Sequence, residues 1–235
     1  QPFADAIKRD PGQLRIGFGT VALNGVSADP DCVAATQKVA SLLEQAGHIV
    51  EQVSPVIDGE QLFRSFGQVM TAYLGWCILG WSERIGRTPE ENDFEPVTWR
   101  MYEHSQQQNA AEYLLAQQAI QSICRDFNQF FSTYDVWLTP TLLKPPVPLD
   151  YFAYSYETRH QHNARLGDYT AFTLMANASG QPAISLPLHW NTDNLPIGVH
   201  FTGRYGDEAL LLSLAAQLEQ ALPWSHRRPP VCAEK

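Results

Sequence analysis

Lysine is scarce in this chain: 235 residues contain four, Lys8, Lys38, Lys144 and Lys235. None has a serine three residues before it, which excludes a Ser-x-x-Lys nucleophile and base. No pair of glycines flanks adjacent serines, and no G-x-S-x-G elbow occurs. The four cysteines, Cys32, Cys77, Cys124 and Cys232, lack paired spacing. That argues against a disulfide scaffold and a zinc knuckle, and for reduced thiols in the cytoplasm. No apolar run approaches the roughly 20 residues of a membrane helix. Charged residues make up only 17% and the net charge is −9, so nucleic acid is excluded as a partner. The N-terminal QPFADAIKRDPGQ has no signal-peptide shape. Its start without methionine is expected to reflect cleavage, trimming or an isolated domain.

Hydrophobic residues, at 44%, suffice for one sizeable core or two small ones. After a lead-in over residues 1–13, Leu14–Thr20 reads as a short buried strand ending in glycine. Asp29 is placed as an N-cap with Pro30 at the first helical position. Val33, Thr36, Val39 or Ala40, Leu43 and Ala46 give that helix an apolar face, and Gly47 ends it. His48–Val53 alternates as a strand, completing a β-α-β unit that favours parallel pairing. Gly17-Phe18-Gly19 is not a dinucleotide loop, because Val21-Ala22 stands where the third glycine belongs.

Residues 58 to about 81 are helical and aromatic-rich, with Gly67, Gly75 and Gly80 placed to allow close packing or breaks. A buried core helix is one reading. The other is that Met70, Tyr73, Trp76 and Cys77 line an apolar substrate pocket. Residues 84–104 read as a loop with a short helix, whose Glu90, Glu91, Asp93 and Glu95 form a solvated surface and not a metal site. Asn109 and Glu112 form a capping box for a long helix through Phe130. Asp135–Thr141 is a strand with a proline stop. Residues 142–162 are a proline- and tyrosine-rich loop, and its His160 and His162 lack a third metal ligand.

From Leu166 to Glu219 the pattern is helix, glycine turn, strand, strand, helix. Leu166, Tyr169, Phe172 or Thr173, and Met175 or Ala176 recur at helical spacing. Gly180 is placed for a left-handed cap and Pro182 blocks continuation. Ile184, Leu186 and Leu188 then alternate with Ala183, Ser185 and Pro187. Ile197, Val199 and Phe201 alternate with Gly198, His200 and Thr202. One face is large and apolar. The other is small enough for a backbone or ligand to approach. Asp207 and Glu208 open a last helix with Leu211, Leu214 or Ala215, Leu218 and Leu222 along one stripe.

Asn177–Pro187, Leu195–Val199, and Asp207-Glu208 with Leu210-Leu211 together resemble the C-terminal signature of the amidase signature family. The similarity runs from Leu14 to about Pro223, and Tyr134–Thr141 matches the family's strand before a variable proline-rich loop. It implies an α/β fold, a mixed β-sheet flanked by helices on both faces. It implies that residues 1–235 are the C-terminal portion of such a domain, half the length of a typical member. Family members hydrolyse amide bonds with a serine, a second serine joined by a cis peptide, and a lysine. That segment has no counterpart here, so no residue is assigned a catalytic, cofactor or metal role. The aromatic helix and the long helix after an acidic loop are closer to the subgroup acting on aminohexanoate cyclic dimers than to the tRNA-linked amidotransferases.

The implied partners are a small-molecule amide and the upstream catalytic half of the same protein, or further copies of the chain in a homo-oligomer. No metal or organic cofactor is implied. The alternative is a binding or scaffold module that keeps the fold without the chemistry. Coding sequence upstream of Gln1 separates the two: a lysine followed by a Gly/Ser-rich segment supports the enzyme half, a start codon the module.

Overall fold

Five runs of alternating or continuous apolar residues become five strands in one sheet: β1 (Arg15–Phe18), β2 (Ile49–Gln52), β3 (Val136–Pro140), β4 (Ala183–Trp190) and β5 (Pro196–Gly203). The order is β2-β1-β3-β5-β4. The first three are parallel, while β5 runs antiparallel to both β3 and β4. The computed structural model describes residues 2–153, 159–229 and 231. Each of the five strands expected from the sequence lies in this single mixed sheet.

The α-helices among the described residues are α1 (Pro30–Gln45), α2 (Gly59–Ile85), α3 (Pro96–Ser105), α4 (Ala110–Phe130), α5 (Arg159–Tyr169), α6 (Leu174–Ser179) and α7 (Glu208–Ala221). Asp29 caps α1 by accepting from the Asp31 N–H at 3.0 Å, and Pro30 takes the first helical position. Asn109 and Glu112 form the expected reciprocal box at the start of α4. Gly180 closes α6 with φ of 71°.

The connection β1-α1-β2 steps to one side of β1, and the α2–α4 connection returns to its other side at β3. Right-handed crossovers in opposite directions put α1 and α4 on opposite faces. Side-chain packing agrees. The Gly17 Cα faces the Phe130 ring of α4, and Trp137 packs edge-on against Phe127 at 5.7 Å. Gly203, on the opposite face, lies under Leu211 of α7. The core is thickest between the sheet and α1 and α7, where Ile16, Val39, Leu43, Val136, Leu138, Val199, Phe201 and Leu214 are buried. Burial of this kind is worth about 25 cal/mol per Å² of apolar surface.

Polar pins fix the layers. His48 Nδ1 accepts the Leu14 N–H at 3.2 Å, so Nε2 carries the proton and donates to Gln217 Oε1 at 2.9 Å. At the sheet's lower end Asp135 accepts the Arg15 N–H at 2.7 Å and the Arg204 guanidinium at 2.6 Å, joining β1, β3 and β5. Asp135→Ala should lower unfolding free energy by about 2 kcal/mol, the usual worth of hydrogen bonds to a charged group. A urea midpoint shift at unchanged m-value is the check.

Four local expectations are corrected. The stretch after Asp58 is one unbroken helix of 27 residues, because Gly67 and Gly80 are tolerated in the α2 interior and Gly75 seats Ser105 of α3. It is not a buried core helix: Met70, Tyr73, Trp76, Leu79 and Trp81 are exposed. The helix expected through Leu166 to Ala176 breaks at Thr170–Thr173, where Thr170 and Thr173 hydroxyls turn back onto backbone carbonyls. The loop expected over 142–162 contains a 3-10 turn, Leu149–Phe152, and the start of α5. His162 is buried there with Nδ1 3.0 Å from the Phe152 carbonyl. The His160 side chain, Tyr154, Tyr156 and Cys232 lie outside the described residues. No described helix is long and apolar enough to cross a membrane.

Candidate functional site

The sheet's small-residue face is built from rungs that run across the strands. Gly17, Trp137, Thr202 and Ala183 share one rung, and Thr139, His200 and Ser185 the next. Gly198 lies beyond, beside Thr141. α4 covers the β1 and β3 end through Phe130 and Phe127, and α6 is tied to it by the Cys124 thiol on the Ala178 carbonyl at 3.5 Å. At the β4–β5 end, Ala183 and Ser185 are exposed and Gly198 is half-buried.

Two hydroxyls meet on that open floor. Thr141 Oγ1 and Ser185 Oγ are 2.6 Å apart across the width of β5. They can meet only because Gly198 lies between them. A Cβ there would stand 2.6 Å from Thr141 Oγ1 and 2.9 Å from Ser185 Oγ. Thr141 carries no site role in the sequence reading, where it ends the Asp135–Thr141 strand, and only the register across β5 brings it to Ser185. The floor adjoins the carboxyl ends of β1 and β3, between which the strand order reverses. That is where open α/β sheets bind ligands.

His200 sits just below the hydroxyl pair, 4% exposed, with Nδ1 within 3.5 Å of Thr139 Oγ1. Burial pulls its pKa down to about 4, so it is a neutral, polarisable wall at ordinary pH and not a cation. The pairing of an alternating His, Thr and Gly strand with a Ser-bearing strand was legible in the sequence, but the depth of His200 was not.

The four pocket residues expected on α2 are not enclosed. Tyr73 and Trp76 hold their rings 5.5 Å apart on an open helix face, with Met70 also exposed and Cys77 half-buried. A hydrogen bond to Cys77 pushes the Tyr73 hydroxyl pKa up. Of the four, Trp76 alone lines a cavity of about 550 Å³ where α2 meets α3 and α4, together with Gly75, Leu79, Gln108 and Tyr113. Met70, Tyr73 and Trp76 are thus exposed along α2, with Cys77 half-buried beside them, and do not line one cavity together. The acidic residues before α3 are engaged locally: Asp93 accepts from Arg87 at 2.9 Å and caps the Glu90 N–H at 3.0 Å. Among the described residues no three His, Cys, Asp or Glu side chains gather as a metal site.

Comparison with known proteins bears on what this floor serves. The profile of the family described as Amidase matches residues 1–212. The chain is 32% identical to the 6-aminohexanoate-cyclic-dimer hydrolase of Pseudomonas sp. (strain NK87), over 97% of this chain and 48% of that protein. The same figures hold for the 6-aminohexanoate-cyclic-dimer hydrolase of Paenarthrobacter ureafaciens. The solved structure of a 6-aminohexanoate cyclic dimer hydrolase superposes with a TM-score of 0.91 at 30% identity, covering 98% of this chain and 49% of that one. The chain thus spans about half the length of the relatives it matches.

Proposed function

The chain belongs to the amidase family, and from that membership we propose that it is the C-terminal half of an enzyme that hydrolyses carbon–nitrogen amide bonds through a serine acyl-enzyme. The observation that carries this reading is the match of 97% of the chain to 48% of an amide hydrolase. The open floor supports it. A sheet whose apolar face is covered by α1 and α7, but whose small face leaves Ala183 and Ser185 of β4 exposed, is shaped to receive another backbone there. In this reading the nucleophile, its lysine base and the oxyanion donors reside in the upstream half. Residues 1–235 contribute the floor beneath them and one wall of the substrate pocket.

The substrate class is a small amide. The relatives' names favour a cyclic aminohexanoate-type amide, and the exposed Tyr73 and Trp76 rings suit an aliphatic segment laid against them. Hydrolysis would proceed by attack of the upstream serine on the amide carbon, release of the amine, and attack of water on the ester. Neither a metal nor an organic cofactor enters that scheme. The cytoplasm is the compartment in which Cys32, Cys77 and Cys124 remain free thiols.

Acyl-enzyme trapping tests this on the product of the full coding sequence. Mass spectrometry after mixing with a slow aryl ester should find the adduct on a serine upstream of Gln1. An adduct on any peptide from residues 1–235 would contradict the proposed division of labour.

A further inference from the structure

A cavity of about 260 Å³ lies where β4 ends against α1 and the turn that follows α7. Its titratable lining is wholly basic: Lys38 from α1, His189 from β4, and His226 and Arg227 from the turn. Trp190, Leu222 and Pro223 supply an apolar wall. Such a gathering runs against the composition, which has 16 Lys and Arg to 25 Asp and Glu. Among the described residues no carboxylate lies within ion-pair distance of Lys38 or Arg227.

Arg227 is held by stacking. Its guanidinium carbon is 4.0 Å from the Trp190 ring centroid. That contact uses the face of the guanidinium and leaves its in-plane N–H donors for another partner. His189 is half-buried, and burial followed by the Lys38 charge holds its pKa below the ordinary value, with Asp31 opposing. Asp31 does not line the cavity, and its Oδ2 accepts from Asn191 Nδ2 at 2.9 Å. The C-terminal dipole of α7 would account for one cation here. It does not account for four basic groups from three elements converging on one concavity.

We propose that this cavity binds a small organic carboxylate, its carboxyl group between Lys38 and Arg227 and its apolar body against Trp190, Leu222 and Pro223. The volume suits an acid of a few carbons and is below the range of drug-sized pockets. A bare oxyanion would leave the apolar wall unused. The site lies at the opposite end of β4 from Ala183 and Ser185, and the proposal does not depend on the hydrolytic reading.

Titration with pentanoate, pentylamine and inorganic phosphate, followed through the His189 ring resonances by NMR, tests it. Pentanoate should bind saturably and move the His189 titration midpoint upward, because an anion offsets the Lys38 charge. Pentylamine and phosphate should each bind at least tenfold more weakly. Lys38→Ala combined with Arg227→Gln should cost at least tenfold in pentanoate affinity at unchanged melting temperature. Arg228→Gln, one residue away and outside the lining, should leave it intact. The proposal is overturned if pentylamine matches pentanoate, if phosphate matches or exceeds it, or if the double variant binds pentanoate as the parent does.

Discussion

Ser185→Leu should leave residues 1–235 as stable as the parent and cripple the whole enzyme. Ser185 is exposed on the floor, so in this chain a leucine there costs about 0.5 kcal/mol at most. Its one side-chain partner is Thr141 Oγ1, and an exposed neutral hydrogen bond contributes about that much. In the proposed whole enzyme a backbone of the upstream half packs closely on the floor. Three added carbons would project from this exposed position into that backbone. Overpacking of this kind costs about 1–3 kcal/mol, and a displacement of about 1 Å in a catalytic segment costs on the order of 100-fold in rate. Melting of the chain and kcat/KM of the full-length variant are the paired measurements. Equal activity in variant and parent would remove the floor from the site.

Acid sensitivity is the second large effect. His200 ionises near 4 in the fold and near 6.5 in the unfolded chain. The unfolded state therefore binds the extra proton first as pH falls. Stability is fully present above pH 6.5 and is lost progressively down to pH 4. Between pH 7.5 and pH 5 the expected loss from this group is about 2 kcal/mol. His189, whose pKa is also depressed, adds in the same sense. Urea unfolding at the two pH values measures the loss, and His200→Gln should remove most of it. A variant as acid-sensitive as the parent would mean that another group drives the effect.

The strands and their sidedness could be read because they rest on local alternation: Ile184 and Leu186 against Ala183 and Ser185 fix which face turns inward whatever packs there. Caps were readable for the same reason, since Asp29, Asn109 and Gly180 act within one turn. What escaped the sequence depends on distance. The Thr141 and Ser185 hydroxyls are 44 positions apart and meet only through the register of β5. The exposure of α2 escaped because an aromatic-rich helix is apolar whether its partner lies in the same stretch of chain or elsewhere. Tyr73 and Trp76 have the composition of a core and the exposure of a surface. The basic cavity was invisible because Lys38, His189 and Arg227 come from distant positions.

The open β4 edge, the exposed floor residues of β4 and the exposed aromatic face of α2 are the surfaces that the proposed upstream half would cover. The most direct test is reconstitution. Residues 1–235 and the separately produced upstream half are assayed alone and mixed, on a panel of short aliphatic, aryl and cyclic aminohexanoate amides. Neither half should turn over substrate alone, because the proposed division of labour puts the nucleophile and its oxyanion donors on one chain and the floor on the other. Mixing should restore hydrolysis, with a concentration dependence that reports tight association. Clear turnover by purified residues 1–235 alone, surviving removal of contaminating hydrolases, would contradict the account.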